Sequence, residues 1–402
     1  MDKPYNFNHK CNTKVGSSGS PILSLNNKVI GIHKKGTKLN NIGTFLNYLI
    51  KDFIQQNFDK KIKNKNKRGL IGLANIGAYQ LMNPTLQCLS NTKRLTEYFL
   101  NKYKDDPKKV ISNEYYKLVK ILWKTDLENG YYSPFSFKNT LKQVNPLFNE
   151  VNSRTTEVRD LINFLIITFH DELKINNPTS NINYPSFKEQ LDESFMLKFF
   201  LEEINKNYNS PIFNLFYGIN ENKTELLCCK RILYNFQLYY FFDFGLFNVN
   251  QYLFNKSKKP LKTKEEKNPD INLYECFEYY TNPTFWEGDN QYYCNFCNKL
   301  TKAYFTTLIF STPYYLIINL NRGRKDEYEC KVNFPNKLNI HNYVINKYSI
   351  TKYELYAIIS YYCLNNQNGH FIAFCRSRTN NEWYVYNDSI VTKYSKQYED
   401  SN

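Results

Sequence analysis

The sequence predicts an α+β protein built in two unequal parts, on three observations. From Gly69 to about residue 400, stretches with apolar side chains at helical spacing come first and alternating strand patterns follow, with a β-rich region between about residues 213 and 310. Ahead of them, residues 11–36 (CNTKVGSSGSPILSLNNKVIGIHKKG) hold a small-residue turn and two short strand patterns. Between the parts, Lys60, Lys61, Lys63, Lys65, Lys67 and Arg68 form a basic run with no aromatic residue in it, which reads as a solvated linker over residues 57–68.

The chain of 402 residues is longer than a single core usually serves, roughly 250 to 300. With 42% hydrophobic and 17% aromatic residues it is far too apolar for a disordered chain. The 53 basic and 37 acidic residues leave a net charge of +16, but the lysines are scattered among asparagines and no nucleic-acid-binding motif accompanies them, so nucleic acid is not the expected partner. Ten cysteines without a basic-then-apolar leader point to reduced thiols and an intracellular protein, cytoplasmic or nuclear. The apolar runs 161–169 and 241–247 fall short of the roughly 20 residues that span a bilayer, so no membrane association is expected.

In the first part, Ile22–Leu25 and Lys28–His33 read as strands joined at Asn26-Asn27, a hairpin signal. The stretch resembles the nucleophile loop of trypsin-like serine proteases, with Ser18 at the nucleophile position and Gly16 beside the oxyanion site. In that family the base and its orienting acid lie far upstream, whereas only 17 residues precede Ser18 and neither His9 nor His33 is suitably spaced. A serine hydroxyl without a positioned base is a weak nucleophile, so Ser18 is not expected to be active and residues 1–56 read as a C-terminal remnant of such a domain. Phe45, Leu49 and Phe53 lie at helical spacing, so residues 44–56 are expected to close this part as a helix.

The second part opens with GLANIGAYQLMNPTLQCL, residues 72–89. Gly72 and Gly77 suit a tight approach loop, and Leu81, Thr85 and Leu89 mark a helix whose N-terminus would favour negative charge. The segment resembles the cysteine box of the ubiquitin-specific proteases, the papain-like deubiquitinases, through Gly72, Leu73, Asn75, Gly77, Met82, Asn83, Leu86, Gln87 and Leu89. The resemblance implies that Asn75 donates to the oxyanion and that Gln80 stands where the nucleophilic cysteine would be. A carboxamide cannot become a thiolate. Cys88 lies eight residues on, about 12 Å along a helix, and cannot substitute simply.

Three further segments extend the resemblance to residues 69–395. TTEVRDLINFLIITFHDEL, residues 155–173, carries an amphipathic stripe, and Glu157 and Asp160 lie on one face, where the family's acids meet the basic tail of ubiquitin. Cys294 and Cys297 form one Cys-x-x-C pair of a finger that holds zinc through four thiolates in relatives. The partner segment Cys228-Cys229-Lys230-Arg231 has Arg231 in place of its second cysteine, and adjacent cysteines fit a tetrahedron poorly, although Cys229 or Cys276 could serve. A metal-free, packed finger with no required cofactor is therefore expected, with structural zinc as the lesser alternative. Gly369-His370-Phe371 and the strand Trp383 to Ser389 resemble the histidine box, which makes His370 the general base, Asn387 its orienting partner and Asp388 their neighbour.

The expected fold is papain-like, with thumb, palm and β-rich fingers over residues 69–400, preceded by a small trypsin-like fragment. The expected function is that of a catalytically inactive ubiquitin-specific protease homologue binding ubiquitin or a ubiquitin-like protein. Two alternatives stay open from sequence: an active deubiquitinase with an unrecognised nucleophile or a mis-sequenced position 80, and a structural or polyanion-binding protein on the inherited fold.

Overall fold

In a computed structural model, the chain forms two compact units, Met1–Asn66 and Lys67–Asn402. The structure describes residues 6–9, 21–23, 29–36 and 41–45 of the first, and 68–76, 80–124, 130–148, 157–175, 184–257, 269–323, 328, 330–362 and 370–394 of the second.

The first unit is a four-stranded antiparallel sheet of β1 (Asn6–His9), β2 (Pro21–Leu23), β3 (Val29–Gly36) and β4 (Asn41–Phe45), in the order β1-β4-β3-β2. The expected hairpin is the β2–β3 pair, with a register shift between Ile22 and Leu23. The helix expected from residue 44 does not begin there. Thr44 and Phe45 belong to β4, opposite Ile32 and Gly31, and not to a helix. The period-two pattern of Ile42 and Thr44, supported by pairing on both sides, overrides the helical spacing that Phe45 begins. Residues 46–56, Ser18 and all of the basic run except Arg68 lie outside the described residues.

The second unit begins with helices. They are α1 (Met82–Asn91), α2 (Lys93–Asn101), α3 (Val110–Lys124), α4 (Phe135–Val144), α5 (Val158–Leu173), α6 (Glu193–Asn207) and α7 (Pro211–Phe216). The apolar stripes of all but α6 converge on one core, in which Leu86, Leu95, Phe99, Tyr115, Leu161, Leu165 and Phe169 are buried, whereas α6 packs on the β-rich region, with Phe200 beside Phe236. The Phe99 ring meets Tyr115 at 4.9 Å and Phe169 at 5.5 Å between centroids. Each such fully buried ring stabilises the fold by about 2 to 3 kcal/mol.

The β-rich region is a four-stranded sheet of β7 (Gly218–Leu226), β8 (Arg231–Tyr239), β11 (Thr284–Trp286) and β14 (Ala303–Ser311), in the order β11-β14-β7-β8, with a hairpin of β12 (Tyr292–Cys294) and β13 (Lys299–Thr301). The aromatic run that follows β8 packs a second core: Phe242 and Phe244 on β9 (Phe242–Gly245) stack on each other and meet the Phe277 ring edge-on. β9 pairs in parallel with β15 (Ile318–Asn321). Short pairs accompany them: β5 (Gly72–Leu73) with β6 (Tyr131–Tyr132), β10 (Ile271–Asn272) with β16 (Val332–Asn333), and β17 (Lys337–Asn339) with β18 (Lys352–Glu354). The last sheet is antiparallel: β19 (Ala357–Tyr362), β20 (His370–Arg376), β21 (Trp383–Asn387) and β22 (Ile390–Lys393), in chain order. Helix α1 lies against β20, so helix and sheet come together at the expected active site.

Candidate active site

The approach loop is fixed by a few backbone contacts that explain its residue types. Gly72 on β5 (Gly72–Leu73) runs so close to the β21–β22 turn that an added Cβ would stand 2.3 Å from the Ser389 carbonyl oxygen, so only glycine fits. The Leu73 N–H donates to the Asp388 carbonyl at 2.8 Å, and Gln87 Nε2 donates to the Ile71 carbonyl at 2.9 Å. Asp388 itself turns the chain at φ 50°, the left-handed region that aspartate tolerates better than most residues.

That turn carries the polar centre. Asn83 Nδ2, at the start of α1, donates to Asp388 Oδ1 at 2.8 Å, and Asn75 Nδ2 donates to Asp388 Oδ2 at 2.9 Å. One carboxylate therefore ties the loop and the helix N-terminus to the sheet. On the neighbouring strands, His370 Nε2 lies 2.7 Å from Asn387 Oδ1. A carboxamide oxygen only accepts, so the imidazole carries its proton on Nε2 and leaves Nδ1 as the basic nitrogen. The arrangement can hold and orient a base, and it keeps an amide donor next to it.

Gln80 is exposed in the turn before α1, and no hydrogen bond joins it to His370 among the described residues. Pro84 is accommodated in the first turn, where an N–H has little intrahelical work to do. Cys88 faces the other way. Its Sγ lies 3.8 Å from Cys375 Sγ, packed with Ala373, Tyr384 and Tyr386 under the sheet. Gly77 and Tyr79 lie outside the described residues.

Glu157 and Asp160 do sit together at the start of α5, where Asp160 Oδ2 accepts from the Glu157 backbone N–H at 2.9 Å. Between them stands Arg159, whose guanidinium reaches Glu157 at 3.2 Å, Asp160 at 3.7 Å and Asp243, on β9, at 2.6 Å. Its partial burial works against the charge, and the Asp243 hydrogen bond with the three carboxylates more than offsets that, so the guanidinium is held even more firmly protonated than usual. Sequence reasoning passed over Arg159, Asp243 and Asn83 as functional residues. The first is visible between two acids, but the contacts of the other two join distant parts of the chain.

In the fingers, Cys228, Cys229, Cys294 and Cys297 bring all four sulfurs within 4.8 Å of one another. Two tight turns deliver them, after β7 and between β12 and β13, with Lys230 and Asn298 in left-handed conformations at φ 56° and 50°. Cys229 is thus one of the four, and the Arg231 guanidinium stacks on the Phe296 ring at 4.0 Å. Burial pushes the Cys228 thiol up, but hydrogen bonds from Thr301 and the neighbouring thiols more than reverse this and bring it down to about 7. A set of four thiols in a packed turn pair fits a tetrahedral thiophilic cation such as zinc. Cys276 is not part of it; it is buried in the second core.

A helical core facing an antiparallel sheet, with a histidine and its amide partner opposite a helix N-terminus, defines a papain-like hydrolase fold. The chain belongs to the ubiquitin carboxyl-terminal hydrolase family, whose pattern matches residues 71–402. It is 27% identical over 350 residues to ubiquitin carboxyl-terminal hydrolase 2 of Bos taurus, which covers 83% of this chain and 54% of that protein. It is 23% identical over 360 residues to ubiquitin carboxyl-terminal hydrolase 21 of Homo sapiens, covering 82% of this chain and 59% of that one. The chain spans about half the length of the curated relatives it matches. Among solved structures, a SAGA DUB module bound to monoubiquitin shares the fold with a TM-score of 0.57 at 20% identity, covering 89% of this chain and 74% of that chain. A SAGA DUB module bound to ubiquitin aldehyde aligns with a TM-score of 0.55 at 19% identity, over 93% of this chain and 79% of that chain. Among the described residues no helix is long and apolar enough to cross a membrane.

Proposed function

We propose that this protein binds ubiquitin or a ubiquitin-like protein through the inherited protease surface and does not cleave it. The observation that carries the reading is Gln80: the segment keeps the glycine, the two amides and the helix N-terminus of the site, but offers a carboxamide where a thiol must attack. His370 and Asn387 would hold a base with nothing to deprotonate. The bound forms of related structures, with monoubiquitin and ubiquitin aldehyde, support ubiquitin as the partner class. Calorimetric titration of the folded chain with ubiquitin tests it: saturable binding with a Kd below about 1 mM is expected, and no heat at that concentration ends the reading.

The finger thiols support a further element of the proposal, a structural zinc. Cys228, Cys229, Cys294 and Cys297 would hold it, and it would cross-link the two turns without entering any reaction. Elemental analysis of the purified protein should find one zinc per chain, and a metal-free protein whose melting is indifferent to added zinc would refute the assignment.

A further inference from the structure

We propose that Arg159 is a specificity-determining residue which fills the cation seat formed by Glu157, Asp160 and Asp243, so that the site gains little from an arginine or lysine at that seat in a C-terminal tail. The inference rests on the ubiquitin-binding reading above and deepens it. Three carboxylates converge on a single guanidinium, at 3.2, 3.7 and 2.6 Å. Asp243, which makes the shortest contact, is itself positioned by Asn319 Nδ2 at 2.6 Å and Asn321 Nδ2 at 3.5 Å. The seat is thus assembled from two separate elements and already occupied.

The chemistry of the occupant decides what can enter. Without Arg159, three carboxylates held this close would repel one another and form a strong site for an incoming guanidinium. With it, an entering cation must first displace a group that is tethered to the same helix and therefore present at high local concentration. The cluster keeps a net charge of −2, from three carboxylates and one guanidinium, so a basic tail is still attracted from a distance. What it loses is the close, directional contact that would reward a cation at this position. Arg159 is about 28% exposed, so water can reach the pair and exchange is not blocked sterically.

The test measures the affinity of the full chain and of Arg159→Gln for ubiquitin and for ubiquitin with its basic tail residues changed to glutamine. In the natural chain, tail neutralisation is expected to change Kd less than about threefold; in Arg159→Gln, native ubiquitin is expected to bind about tenfold tighter and tail neutralisation to abolish that gain. Arg159→Lys, which keeps a tethered charge, should reproduce the natural pattern and serves as a control for folding. Equal costs of tail neutralisation in all three chains would overturn the role of Arg159 while leaving ubiquitin binding intact. Failure of every chain to bind either ubiquitin would instead overturn the binding reading itself.

Discussion

Asp388 accepts from two side-chain amides that lie 313 and 305 residues away in the chain, and it is this convergence that holds loop, helix and sheet together. Asn83 Nδ2 also donates to the Leu73 and Ala74 carbonyls, both at 3.2 Å, so Asp388→Ala would remove its shortest hydrogen bond without orphaning the amide, and a loss of about 1 kcal/mol is expected, read as a lower urea midpoint with an unchanged slope. The sequence placed Asp388 beside the histidine pair but could not reveal this role, because no local pattern encodes partners so remote. His170 offers a second residue-scale prediction. Its ring is buried between Tyr208 and Tyr217, with Nδ1 2.7 Å from Ser210 Oγ, and burial, the largest influence, lowers its pKa; Lys174 adds to this and Asp171 opposes it. The unfolded chain therefore binds a proton more readily than the folded one. This contribution to stability is complete above the ordinary imidazole pKa of 6.5 and is lost as pH falls below it. Denaturation at pH 7.5 and pH 5.5 should show a fall that His170→Gln makes shallower; an unchanged fall would assign it to other groups.

Among the elements, β5 and the β21–β22 turn meet backbone to backbone at Gly72. Gly72→Ala would drive a Cβ to 2.3 Å from backbone that cannot move independently, and a loss of about 3 kcal/mol is expected in the same urea measurement. The finger turns give the other test at this scale. If zinc is bound, a strong chelator should lower the melting temperature of the natural chain and leave that of Cys294→Ser, already without a full ligand set, nearly unmoved. Elements with a long, unambiguous period were legible in the sequence: of the α5 stripe Val158, Leu161, Ile162, Leu165, Phe169 and Leu173, Val158 and Ile162 are half-buried against the core and the other four are buried. The stretch at Thr44 was not, because a few residues satisfied both periods and only pairing with β3 and β1 decided between them. The thiol cluster was half legible. Spacing identified Cys294 and Cys297, but whether adjacent cysteines can both turn inward depends on the left-handed Lys230, which spacing does not record.

For the whole molecule, the fold followed from four segments occurring in the right order, whereas on the proposed reading activity hangs on one position, Gln80. The helices, fingers and sheet need only volume and pattern to form, so they persist while the chemistry changes. Restoring the nucleophile tests how much of the site persists. Gln80→Cys should yield a thiol that reacts with a ubiquitin C-terminal vinyl electrophile, because His370 and Asn387 still hold a base in place. The central claim, binding without cleavage, is tested most directly by treating the natural chain with that same electrophile and reading its intact mass. A mass equal to that of the unmodified chain is predicted; a shift by one ubiquitin, bonded to any of the cysteines, would contradict it.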